Sequence, residues 1–84
     1  MALAIVVSDD ARREFMALPH RIQRQIKAKL ERLAANPSAA DVKPLHGSLR
    51  GIMRARSGDY RIWFQIAGGS LRVARITNRK EGYD

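Results

Sequence analysis

The chain has 84 residues, no cysteine, and sixteen Lys and Arg against eight Asp and Glu, a formal charge of +8. That length holds one domain, spanning 1–84, and the lack of cysteine excludes a disulfide framework, thiol chemistry and a thiolate zinc site, which fits a reducing cytoplasm. No apolar run approaches the roughly 18 residues of a membrane span, and Leu3 to Val7 (LAIVV) lacks the basic lead-in and cleavage site of a secretory signal.

Leu3 to Val7 is a short β-branched run and reads as a first strand. Ser8 and two aspartates follow, a helix N-terminus, and a short helix runs to about Ala17 with Phe15 and Leu18 facing inward. Pro19 fits the first turn of a second helix. There Ile22, Ile26, Leu30 and Leu33 fall on one stripe, while Arg21, Arg24, Lys27, Lys29 and Arg32 occupy other faces. Asn36-Pro37 ends the helix, and Asn36 to Gly47 reads as a linker-like loop. Three strands are expected next: Ser48 to Arg56, Asp59 to Ala67 and Ser70 to Thr77. They are joined by two-residue loops at Ser57-Gly58 and Gly68-Gly69, and a polar tail follows. The order β-α-α-β-β-β predicts an α+β domain: a two-helix hairpin packed on one face of a small, mainly antiparallel four-stranded sheet.

A Ser57-Gly58 loop sets Arg56 against Asp59, Ala55 against Tyr60, Arg54 against Arg61, Met53 against Ile62 and Ile52 against Trp63. Side chains alternate between faces, so Met53, Ala55, Tyr60, Ile62 and Phe64 form a core face. Ile52, Arg54, Arg56, Asp59, Arg61, Trp63 and Gln65 share the other. After Leu45 eight cations (Arg50, Arg54, Arg56, Arg61, Arg72, Arg75, Arg79, Lys80) meet only Asp59, Glu81 and Asp84. Facing arginines destabilise a sheet, so a basic face of this kind suggests an absent anion, and the guanidinium fork matches phosphate oxygens. The whole-chain charge agrees, since it calls for a polyanion or an acidic protein partner. A Gly68-Gly69 loop sets Trp63 against Ala74 and leaves Arg75 on the core side, where a bulge or snorkelling must release it. His20 and His46 are far apart, lack acidic neighbours and read as a surface and a loop residue; no metal cluster is evident.

KPLHGSLRGIMRARSGDYRIWFQI (Lys43 to Ile66) followed by VARITNRKEGY (Val73 to Tyr83) resembles the RelE/ParE superfamily of type II toxins, over nearly the whole chain. The resemblance implies a toxin whose RelE branch cuts mRNA in the ribosomal A site without a metal or other cofactor. The ribose 2′-OH attacks the adjacent phosphate. It implies catalytic roles for Arg54, Arg61 and Arg79 in binding and stabilising phosphate charge. Tyr83 is implied as general base or stacking group, accepting the 2′-OH proton if Arg79 and Arg61 hold its pKa below the usual value of about 10. Arg56, Trp63, Lys80 and Arg50 are the expected further RNA contacts. Trp63 reads equally as a ring on which a base stacks and as packing under the tail. Two positions depart from the RelE pattern: Ile52 stands where some members carry lysine, and Asn78 where many carry histidine. The alternatives are a ParE-like inhibitor of DNA gyrase without nuclease chemistry and a non-catalytic relative. The implied partner is a cognate antitoxin with an acidic or amphipathic segment, in a toxin–antitoxin hetero-oligomer, with the patch around Trp63 and Ile52 as candidate contact.

Overall fold

A computed structural model describes residues 2–36, 42–44 and 51–78. Ala4–Val7 forms β1 and Asp9–Met16 forms α1. Ser8 joins them and has three jobs. Its backbone N–H donates to Val73 O (2.9 Å), its Oγ donates to Ala74 O (2.8 Å), and the same Oγ accepts from Ala11 N (3.1 Å). The last is an N-cap, with Asp9 and Asp10 in the favourable first turn. At the other end Phe15 O accepts from Leu18 N (3.1 Å) and also from Gln23 Nε2 (3.1 Å), which donates as well to Leu18 O (3.0 Å) and so ties the turn after α1 to the following helix.

His20–Ala35 forms α2, with Pro19 at the N-cap, one position before the expected first turn. The apolar stripe is the buried one: Ile26, Leu30 and Leu33 are in the core, and Ile22 packs against it half-buried. Removing a side chain of that size from water stabilises by roughly 1.5–3 kcal/mol. Both helices are therefore amphipathic, as their spacing predicts, and no described helix is long and apolar enough to cross a membrane.

The remaining strands are β2 (Val42–Pro44), β3 (Met53–Ser57), β4 (Tyr60–Ala67) and β5 (Ser70–Asn78). The sheet order is β1-β5-β4-β3-β2, with β1 parallel to β5 and the other pairs antiparallel. The four expected strands and the helical hairpin are all present. The loop read from Asn36 to Gly47 contains the extra edge strand β2, paired Val42↔Ala55 and Pro44↔Met53. A proline is tolerated there because an edge strand has one side free of ladder bonds. The strand expected from Ser48 begins, among described residues, at Met53, with Gly51 in a turn. The core face carries Ala55, Ile62, Phe64, Leu71, Val73 and Ile76 beneath the helices, and Tyr60 packs half-buried against them.

The first hairpin turns one residue later than the sequence suggests. Ser57 pairs with Tyr60, so the loop is Gly58-Asp59, and Gly58 has φ +59° while Asp59 does not share the positive φ. A two-residue loop of that kind takes glycine first. Ser57 belongs to the strand because its Oγ faces α2, where Gln25 Nε2 donates to it at 3.3 Å; Ser57 is buried. Pairing is thereby corrected to Arg56↔Arg61, Ala55↔Ile62, Arg54↔Trp63 and Met53↔Phe64. A slip of two residues preserves every side chain's face, so the split into core and basic faces stands even though each cross-strand partner changes.

The second hairpin closes at Gly68-Gly69 as expected, with φ +57° and +76°. Its ladder then breaks: Phe64 pairs with Val73, but Trp63 pairs with Arg75 rather than Ala74, and Arg61 with Thr77 rather than Ile76. One extra residue on β5 is a β-bulge, and it moves Arg75 off the core face.

Candidate nucleic-acid interface

The sheet face opposite the helices carries Arg54 and Arg56 from β3 and Arg61, Trp63 and Gln65 from β4; Arg72 of β5 pairs with Gln65. These side chains come together because β3, β4 and β5 are adjacent antiparallel strands and alternate residues share a side. Like charges do meet across the ladder, but the pair is Arg56 with Arg61, not Arg54 with Arg61. Such a pair opposes folding by a few tenths to about 1 kcal/mol. The expected partner of Arg56, Asp59, lies in the turn instead. Arg56 and Arg72 are exposed, while Arg54 and Arg61 are half-buried.

Arg54 stands across from Trp63, and its guanidinium carbon lies 5.7 Å from the ring centroid. That is within cation–π range. Trp63 Nε1 donates to Thr77 Oγ1 at 2.8 Å, and Thr77 is 3% exposed. The indole is thus fixed at its N–H and covered on one face by a guanidinium. Ile52 is half-buried and lines a shallow hollow with Gln65, Arg72 and Val6 on this side of the sheet. Among the described residues the large apolar side chains that lie exposed are Ile5, Val6, Val7 and Met16, on β1 and at the end of α1, whereas Trp63 and Ile52 are half-buried. Arg50, His46, Arg79, Lys80 and Tyr83 lie outside the described residues.

Arg75 leaves the basic set. Its Nε and Nη2 donate to Glu14 Oε2 at 2.8 and 2.6 Å, and the backbone N–H of Ile76 donates to Glu14 Oε1 at 2.8 Å. One carboxylate on α1 therefore holds the bulged stretch of β5 where β1 no longer flanks it. Sequence reasoning did not single out Glu14; its signal was Arg75 itself, a cation out of phase with its strand and needing an acid nearby. Among the described residues no cluster of three His, Asp or Glu side chains has a metal-site arrangement.

Solved structures share this architecture. The toxin–antitoxin complex RelBE2 from Mycobacterium tuberculosis contains a chain 27% identical, with 94% of this chain and 93% of that one covered, at a TM-score of 0.85. A chain of the archaeal RelE–RelB complex from Pyrococcus horikoshii OT3 is 22% identical over 100% of both chains, TM-score 0.80. YafQ from E. coli strain BL21(DE3) is 19% identical over 98% and 99%, TM-score 0.76. The fold is thus that of the RelE-like toxins, two helices packed on a mixed sheet. The family described as the ParE toxin of type II toxin–antitoxin systems, parDE, matches residues 5–83. The chain belongs to that family and is a RelE/ParE-superfamily type II toxin. No curated protein matches it.

Proposed function

We propose that the protein is a RelE-like, ribosome-dependent mRNA endonuclease. The observation that carries this reading is the arginine face, where Arg56 and Arg61 oppose each other and Arg54 lies over a pinned indole. A phosphate seated there receives charge-assisted bonds from guanidinium forks. The ribose 2′-OH attacks its own 3′ phosphorus, the O2′–P bond forms, and the bond from phosphorus to the next nucleotide's O5′ breaks. The protein supplies no nucleophile. Arg54, Arg61 and Arg79 stabilise the phosphorane charge, Tyr83 accepts the 2′-OH proton, and Arg56, Arg50 and Lys80 hold flanking phosphates. An arginine does not deprotonate, so the proton that O5′ takes up comes from another donor.

A gyrase-directed reading has one specific observation behind it: Ile52 lies where some RelE members carry a lysine, and it lines an apolar-edged hollow instead. Purified protein added to a translating extract is expected to cut message inside ribosomes. Intact message with accumulated gyrase-linked DNA breaks would move the activity to the ParE branch.

The antitoxin reading draws on the solved relatives' being toxin–antitoxin complexes. Among the described residues the large exposed apolar side chains are Ile5, Val6 and Val7 on β1 and Met16 at the end of α1. Ile5, Val7 and Met16 line a hollow with Phe15, Leu30 and Ile76, rimmed by Arg12 and Lys27 against a single acid, Glu31. A second copy at +8 would meet a like-charged rim, so an acidic, amphipathic antitoxin segment is the occupant that fits. Val7→Asp, 39% exposed at the outset, is expected to weaken antitoxin capture at least about tenfold with the fold intact, as loss of an anchor in a docking hollow does. Unchanged capture would place the antitoxin elsewhere.

A further inference from the structure

We propose that Trp63 and Thr77 are positioning residues for Arg54, so that the indole acts through the arginine and not as a platform for RNA bases. The proposal rests on the reading of the arginine face as a phosphate site.

Thr77 is 3% exposed, on a strand, and β-branched, so its hydroxyl is held in place. An indole N–H is a donor only, and Trp63 Nε1 finds this hydroxyl at 2.8 Å. With its backbone fixed in β4 and its far end tied to β5, the ring has one orientation. Arg54 is its cross-strand neighbour on β3, and the guanidinium lies over the ring face at 5.7 Å. The three residues thus come from β3, β4 and β5, with Arg54 directly across from Trp63 and Thr77 diagonal to it. Arg54 is half-buried, whereas Arg56, two residues along the same strand, is exposed and has no ring over it among the described residues.

Two consequences follow for a bound phosphodiester. A cation–π contact engages arginine's charge through the ring face and consumes none of its five N–H donors. Those donors stay available for phosphate oxygens, already confined before the ligand arrives. The same contact occupies one face of the ring and takes that face out of base stacking. The aromatic residue on a basic sheet, read from sequence as either a base platform or packing under the tail, is here the support of a cation.

The test uses the full chain and two readouts. The chain has one tryptophan, so its indole N–H gives a single, unambiguous NMR resonance. The Arg54 side-chain methylenes are expected upfield through the ring current. That displacement disappears in Trp63→Leu and shrinks in Thr77→Val, an isosteric change that leaves the core volume intact. The second readout is binding of a short 2′-deoxy oligonucleotide, which offers no attacking hydroxyl. Trp63→Leu is expected to weaken it about two- to fivefold and Trp63→Phe, which keeps a ring, to recover most of the loss. In an Arg54→Met background Trp63→Leu should cost nothing more, because the two residues act as one unit. An equal loss with and without Arg54 overturns the proposal, since Trp63 would then touch RNA itself. Absence of the ring-current displacement overturns it too. A ring-current pattern as expected, with oligonucleotide binding indifferent to Arg54→Met, upholds the positioning of Arg54 and instead removes the phosphate reading of this face.

Discussion

Phe64→Ala is expected to lower the unfolding free energy by about 3–5 kcal/mol. Phe64 is 0% exposed and sits on β4, the middle strand of the sheet, between Met53 on β3 and Val73 on β5. It adjoins the bulge, where the ladder changes register between Trp63 and Phe64, so the surrounding backbone is constrained by both strands and collapses poorly into a vacated ring volume. A domain of this size has roughly 0.05–0.15 kcal/mol of stability per residue, so the loss is about a quarter of the whole or more. Urea unfolding followed by the fluorescence of the lone tryptophan measures it: the midpoint falls and the slope stays the same. Ile5→Ala is the contrast, because Ile5 is 39% exposed on the edge strand β1 and its truncation opens no enclosed cavity. A Phe64→Ala loss no larger than that of Ile5→Ala would mean that β4 does not form the centre of the core.

The elements that sequence conveyed well are those whose signal is periodic or chemically obligatory. The α2 stripe of Ile22, Ile26, Leu30 and Leu33 repeats at the helical period, and the same residues pack on the sheet. Gly68-Gly69 is a loop in which both residues have positive φ, a geometry two glycines announce. Ser57-Gly58-Asp59 is different, because it contains two possible two-residue loops. They differ by a two-residue slip that leaves the alternation of apolar and basic residues untouched, so no face pattern separates them. The choice rests on a contact 32 residues away in the chain, from Gln25 to Ser57. The bulge at Ala74 was visible only as the misplacement of Arg75, and what it serves became plain with Glu14, 61 residues distant. The basic face survived the register error because Arg54, Arg56, Arg61 and Trp63 keep a common parity. Their pairings did not, and it was the pairing Arg54↔Trp63 that changed the role of the indole.

Arg61→Ala is expected to reduce message cleavage at least tenfold, about 1.4 kcal/mol of transition-state stabilisation, with little change in stability. The two halves of that expectation have separate causes. Arg61 lies on β4 between Arg56 on one side and Thr77 on the other. Removing it relieves a like-charge pair worth a few tenths to about 1 kcal/mol and forfeits a comparable packing contribution from its half-buried stem. The folded state therefore changes little, while a charge fixed by the most constrained strand of the sheet is lost from the phosphorane. Arg61→Lys tests the geometry: it keeps the charge but not the fork, and it should fall between wild type and alanine. The exposed Arg56 makes the sharper comparison. A solvated cation attracts substrate through a field that salt screens, so Arg56→Ala should raise KM and flatten the salt dependence while sparing kcat. Arg61→Ala should act mainly on kcat. Wild-type cleavage by a folded Arg61→Ala protein would take Arg61 out of the catalytic set. Matching KM effects from both variants would make the pair a common phosphate tether, with the rate-determining charge supplied from elsewhere on the face.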